Sequence, residues 1–296
     1  MSILQDLSND LAAAVQTASA SIVRVEARRR LAATGIVWSA DGLIITSNHG
    51  VERDDSIRVG LPNGETVEAT LVGRDPTTDI AVLRTSASLT APTWVESDGI
   101  KVGHLVLALG RPEADVQATL GVVSAVSGEW RTMAGGRVDV YLQTDVVMYP
   151  GFSGGPLISS GGQILGMNSS SLARGVSLTL PAATLKRVAA ALSTHGRVRR
   201  GYLGVSAQPV RLPAALAGQL SQETGLLLAA VEPDSPAKKG GLLLGDTLYS
   251  MAGQPIRQMD DLMAVLSGDR VGQTVPASVV RGGQAMDVQV TIGDRN

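Results

Sequence analysis

Apolar residues recur at Ile3, Leu4, Leu7, Leu11 and Val15, the spacing of one helical face, and predict an amphipathic helix over residues 2–18. Past Ser19 the period drops to two. Ser21–Glu26 alternates, and Gly35–Trp38 and Leu43–Thr46 are short apolar runs split by the Asp41-Gly42 turn. Ile57, Val59 and Leu61 alternate into Pro62-Asn63-Gly64, and Val67, Ala69 and Leu71 alternate out again, which predicts a hairpin. Ile80–Leu83, Leu105–Leu109, Gly121–Ser127 and Tyr141–Thr144 continue the series. Short strands at this spacing mean an all-β barrel or sandwich. Helical periodicity returns over Pro181–Leu192 and stops near Gly196. A charged stretch, 194–200, then links to a second β-rich unit with two short helical segments, near Ser235–Lys239 and Asp260–Leu266.

Length and composition change this picture little. The 296 residues suit two domains, and an apolar share of 44% is ample for two cores. Acidic and basic residues nearly balance, 27 against 25, which argues against nucleic acid as a partner. Arg28-Arg29-Arg30 and Arg197 with Arg199-Arg200 read as solvated charge. There is no cysteine, so disulfides and thiolate catalysis are excluded. No His/Asp/Glu spacing suggests a metal site, and no cofactor is implied. No stretch reaches the roughly 18 uninterrupted apolar residues of a membrane span. The N-terminus lacks the pattern of a signal peptide, so the chain as written is expected to stay in the cytoplasm.

The chemistry sits in three places. His49 ends the apolar run Leu43–Thr46 and its extension Ser47-Asn48; Asp79 precedes Ile80–Leu83; Ser153 lies in Gly151-Phe152-Ser153-Gly154-Gly155. A serine hydroxyl is a weak nucleophile and needs an adjacent base, which in turn needs a group to orient it. The order His, Asp, Ser is one of three convergent orders for such a triad. Gly151 carries no side chain to obstruct a substrate carbonyl, so the N–H groups of Gly151 and Ser153 are candidates for an oxyanion hole. The other two histidines, His104 and His195, read as structural or solvated.

These stretches, with Thr34–Val37, Asp41–His49, Asp75–Leu83, Gly121–Ala125 and Gln143–Asp145, resemble the HtrA/Deg family of serine proteases from about Ser19 to Leu192. The resemblance implies a chymotrypsin/trypsin-like double β-barrel over residues 19–193, with His49, Asp79 and Ser153 in the cleft. It lines the P1 pocket with Met148, Ser171 and Val176, which favours small or medium aliphatic residues, and makes Ser169–Ser171 the edge on which substrate lies. Three departures stand out. Phe152 replaces the family's usual asparagine, Gly50 replaces a branched aliphatic, and the first inter-strand loop, about 27–33, is short.

Residues 201–293 resemble the PDZ domain attached to these proteases, on Gly201–Val205, Val231–Ala237 and Gly241–Leu248. The resemblance implies that a peptide C-terminus adds a strand beside Val205, its carboxylate on the N–H groups of Tyr202, Leu203 and Gly204, with Leu262 and Leu266 lining the groove. The expected activity is ATP-independent cleavage of unfolded or damaged proteins through an acyl-enzyme on Ser153. A holdase with an inactive barrel and a narrow regulatory protease are the alternatives. Family members are commonly trimers or multiples of trimers and are often periplasmic or extracytoplasmic.

Overall fold

The computed structural model describes residues 2–96, 99–173, 175–266 and 270–294. The chain divides into two compact units, Met1–Val198 and Arg199–Asn296.

The first unit opens on helix α1 (Ile3–Ser19), capped by Ser2, whose hydroxyl accepts the Gln5 N–H. Only the C-terminal half of its apolar stripe is covered. Ala14 and Ala18 are buried, whereas Ile3 and Leu4 are 86% and 78% exposed. Six strands follow: β1 (Ile22–Glu26), β2 (Ala33–Val37), β3 (Leu43–Ser47), β4 (Ile57–Gly60), β5 (Thr66–Asp75) and β6 (Ile80–Arg84). They close a barrel in the order β1-β2-β3-β6-β5-β4. The β4–β5 hairpin turns at Pro62-Asn63-Gly64, with Asn63 Oδ1 accepting the Glu65 N–H.

A second barrel is built from β7 (Leu105–Gly110), β8 (Gln117–Ser127), then, past the short pair β9 (Trp130–Arg131) and β10 (Arg137–Val138), β11 (Tyr141–Thr144), β12 (Pro156–Ser159), β13 (Ile164–Ser169) and β14 (Ser177–Pro181). It closes as β11-β14-β13-β12-β7-β8. Helix α2 (Ala182–His195) completes the unit and stops at Gly196, which is left-handed at φ +70°.

Continuous apolar runs in β3 and β6 now have a cause. Val23, Val25, Ile44, Ala81 and Leu83 fill the first barrel. Their alternates Ile22, Ile45, Ile80 and Val82 join a larger core with α2 and the second barrel. Side chains of a strand point to opposite faces, so burial on both faces removes the polar alternates. Each such fully buried Val, Ile or Leu side chain contributes about 1.5–3 kcal/mol.

Phe152 lies in the second barrel's own core with Val106, Leu142 and Leu157, fully buried. Its ring fits because residue 110 has no side chain: a Cβ there would stand 2.5 Å from Phe152 Cδ1.

The second unit contains β15 (Gly201–Tyr202), β16 (Val205–Arg211), α3 (Ala214–Leu220), β17 (Thr224–Val231), α4 (Pro236–Lys239), β18 (Thr247–Met251), β19 (Gln254–Pro255), α5 (Met259–Val265), β20 (Thr274–Arg281), β21 (Gln284–Thr291) and β22 (Gly293–Asp294). The main sheet runs β16-β17-β18-β20-β21, with β19 on β18, and β15 pairs β22. Helix α3 adds a third helical segment to the two expected. None of its residues is fully buried, and at seven residues it holds only Leu216 and Leu220 at helical spacing. The linker arginines are also not simply solvated, for Arg199 pairs with Asp294 at 3.1 Å.

Gly110→Ala is expected to cost about 1–3 kcal/mol by overpacking against Phe152. In a Phe152→Ala background the same change should cost almost nothing. A double-mutant cycle on urea unfolding tests this, and equal costs in both backgrounds would refute the contact.

Candidate active site

Strand register brings the first two candidates together. In the β3–β6 pair Ser47 stands opposite Ile80, so the residues just beyond each, Asn48-His49 and Asp79, are neighbours. His49 sits in the 3₁₀ turn Asn48–Gly50 that follows β3. Asn48 N–H donates to the Asp79 carbonyl at 3.0 Å, and His49 N–H to Asp79 Oδ1 at 2.9 Å. The imidazole Nδ1 lies 2.8 Å from Asp79 Oδ2. Asp79 itself is left-handed at φ +57°, a conformation aspartate tolerates better than most residues. The turn before it is tied by Asp75, whose carboxylate accepts Thr77 N–H and the Thr77 and Thr78 hydroxyls.

Gly50 explains itself here. A Cβ at this buried position would stand 2.7 Å from Ala33 Cβ and 2.8 Å from Ser47 Oγ. The branched aliphatic of the family pattern has no room beside this first barrel.

Asp79 is 3% exposed. Burial alone would raise its pKa, but the hydrogen bond from His49, the field of that ring and the bond from Ser169 outweigh it and hold the carboxyl below its ordinary value of 3.8. An ionised carboxylate only accepts, so His49 Nδ1 carries the hydrogen; in the neutral ring Nε2 is then the nitrogen with a free lone pair. Ser169, from β13 of the second barrel, donates its hydroxyl to Asp79 Oδ2 at 2.6 Å. Ser169 Oγ in turn lies 3.2 Å from both the Ser171 hydroxyl and the Ser171 N–H.

Ser153 precedes β12, 8% exposed. Its hydroxyl is 2.9 Å from Ser170 Oγ and accepts the Ser170 N–H at 3.2 Å. Among the described residues no hydrogen bond joins it to His49. The loop before it is held from the first barrel. Thr34 Oγ1 donates to the Gly151 carbonyl at 2.6 Å and accepts the Arg111 N–H at 2.8 Å, while Thr34 N–H donates to the Ser153 carbonyl at 3.2 Å. Gly151 is at φ +90°, third residue of a turn closed by Phe152 N–H on the Tyr149 carbonyl at 3.0 Å. That is the place of the positive-φ residue in a type II turn, which glycine takes without strain. Among the described residues neither the Gly151 nor the Ser153 N–H has a protein acceptor. Phe152 turns its ring into the core, edge-on to Tyr149 at 5.7 Å between centroids. The short loop between β1 and β2 closes on itself, with Arg28 donating to the carbonyls of Leu31 and Ala32, so Arg28 is not free solvated charge.

Met148 and Val176 are half-buried and Ser171 exposed. In the second unit Leu203 is buried and Val205 opens β16. Tyr202 donates its hydroxyl to Glu232. Leu262 and Leu266, at 2% and 8% exposed, belong to the core of that unit, so they offer a ligand only their edges. His104 is exposed, its Nδ1 accepting the Lys101 N–H at 3.3 Å, and His195 ends α2. Ser169, Ser170 and Thr34 are the residues that motif reading does not single out for these contacts. Their partners lie 17 to 117 positions away in the chain.

The model of the trypsin-like peptidase domain matches residues 33–167, and that of the PDZ domain residues 201–292. The chain is 38% identical over 267 residues to a probable periplasmic serine endoprotease, DegP-like, of Ectopseudomonas mendocina, covering 88% of this chain and 56% of that protein. To the protein of the same description from Halomonas elongata it is 37% identical over 273 residues, covering 90% and 57%. The chain thus spans little more than half the length of these curated relatives. Among solved structures, the HtrA-type protease AlgW with tripeptide superposes with a TM-score of 0.77 at 32% identity, covering 97% of each chain. The serine endoprotease from Yersinia pestis gives a TM-score of 0.79 at 30% identity, covering 97% of this chain and 98% of that one. The relatives are described as periplasmic, and the cytoplasmic expectation finds no support in them.

Because Asp79 titrates below 3.8 in the folded chain, the unfolded chain takes up the proton first as pH falls. The stability this group supplies is complete above 3.8 and is lost as pH drops through the folded value. Ser169→Ala is therefore expected to lower stability at pH 7 by about 1.5–3 kcal/mol, the range for a bond to a charged group. The deficit should shrink at pH 3. Urea unfolding at the two pH values tests this; a deficit that grows at pH 3 would contradict it.

Proposed function

Since the chain belongs to the HtrA family of DegP-like serine proteases, we propose that it is an ATP-independent serine endopeptidase acting on unfolded or damaged polypeptides in the periplasm. The observation that carries the reading is the oriented base. Asp79, held ionised, accepts the hydrogen bond of His49 Nδ1–H and leaves Nε2 of the neutral ring as the basic site, on a side chain 32% exposed. In the proposed reaction Ser153 Oγ attacks the scissile carbonyl carbon while its proton passes to His49 Nε2. The Gly151 and Ser153 N–H groups, which no acceptor among the described residues occupies, receive the developing oxyanion; one such donor is worth about 3 kcal/mol of transition-state stabilisation. His49 then protonates the leaving amine as the C–N bond breaks. Water, deprotonated by the same ring, hydrolyses the acyl-Ser153. Met148, Ser171 and Val176 form the P1 pocket, without an acidic group to attract Lys or Arg.

For the PDZ domain the reading is strand addition. Among the described residues β16 pairs only with β17, which leaves its other edge for a peptide, and the N–H groups of Tyr202, Leu203 and Gly204 precede it to hold a peptide carboxylate. A hydrophobic C-terminus then packs along Leu262 and Leu266. The exposed stripe Ile3, Leu4 and Leu7 on α1 supports assembly into trimers or multiples of them. The contact of Ser153 with Ser170 in place of His49 is the one observation that favours the runner-up, a peptide-binding holdase whose barrel rests inactive.

Wild type is expected to degrade an unfolded protein such as casein, leaving fragments that end in small or medium aliphatic residues. Ser153→Ala should lose on the order of 10⁶ in kcat. Mass spectrometry of the fragments reads both; equal cleavage by the variant, or fragments ending mainly in Lys and Arg, would refute the assignment. Light scattering should give a trimer or a multiple of it, lost in Ile3→Asp/Leu4→Asp; a wild-type monomer would refute the assembly.

A further inference from the structure

Ser153 Oγ has one hydrogen to give and two lone pairs to share. Ser170 engages it twice, through its N–H at 3.2 Å and its hydroxyl at 2.9 Å. His49 cannot lean across to compensate, since its ring and its backbone are both tied to Asp79. The neighbouring serine hydroxyl cannot compete for the same site, because Ser169 gives its hydrogen to Asp79. Three consecutive serines thus divide their work: Ser169 serves the acid, Ser171 supports Ser169, and Ser170 alone reaches the nucleophile. Ser170 is also solvent-exposed, so its hydroxyl has water as an alternative partner and the contact can open.

We propose that Ser170 is a positioning residue that holds the Ser153 hydroxyl away from His49, so that the nucleophile is handed to its base only when this contact breaks. The inference rests on the endopeptidase reading above. Under it, proton transfer to Nε2 requires Ser153 Oγ to turn out of the Ser170 contact, and the fraction of molecules that have done so scales the rate of attack. Removing the Ser170 hydroxyl therefore speeds Ser153, the opposite of what the loss of a supporting residue does.

The test is the rate at which a small fluorophosphonate labels Ser153 in the full chain, followed by intact mass. Such a reagent forms an Oγ–P bond and expels fluoride, with the Ser153 proton taken by His49. Ser170→Ala is expected to label about fivefold faster than wild type, the several-fold shift that one net hydrogen bond produces. Ser170→Thr, which keeps the hydroxyl, should label at the wild-type rate. The pH midpoint of labelling should be the same in wild type and Ser170→Ala, with only the plateau raised, and the melting temperature unchanged. Equal or slower labelling of Ser170→Ala, with wild type labelled at Ser153, overturns the proposal and leaves the endopeptidase reading standing. If neither protein is labelled at Ser153, both fall.

Discussion

A buried carboxylate makes demands that the rest of the protease unit must meet. Asp79 is almost wholly removed from water, and an ionised group in that position is costly unless its oxygens are occupied. Its partners come from both barrels: His49 follows β3 of the first, and Ser169 ends β13 of the second. That one charge is therefore satisfied only with both barrels in place, on top of the apolar core they share. Other bonds across the cleft follow the same line. Thr132, between β9 and β10, donates to the Thr77 carbonyl just before Asp79, and Thr34 pins the Gly151 carbonyl from the opposite side. The base, the acid and the loop that carries the nucleophile are all held at one seam.

That arrangement separates what local sequence can carry from what it cannot. His49 and Asp79 are readable because each lies at the end of an apolar run, and the register of two strands does the rest. Ser153 is readable because its glycines are required by its own turn. Ser169 and Ser170 look alike in the sequence, two serines in a row of three. Their different tasks come from strand direction, since alternate residues leaving β13 face opposite ways. Thr34 is a hydroxyl in an otherwise apolar strand, and only the other barrel shows what it holds.

The remaining differences have equally local causes. The apolar spacing of α1 marks a helix correctly, yet spacing says nothing of which half finds a surface to cover it. Helix α3 escapes notice because it is short and buries no residue fully. Leu262 and Leu266 have helical spacing, which a groove and a core share, and both are mostly buried in the core, leaving a ligand only their edges. Gly50 reads as a departure until Ala33 and Ser47 are seen beside it.

Phe152 and Gly110 have a consequence for what this chain tolerates. An aromatic ring at position 152 requires a bare backbone at position 110. The dependence runs one way: glycine at 110 can stand beside a smaller side chain at 152, whereas the ring at 152 leaves no room for a side chain at 110. While the ring is in place, a change at 110 alone is closed off, so a residue that takes no part in the reaction is as constrained as those that carry it.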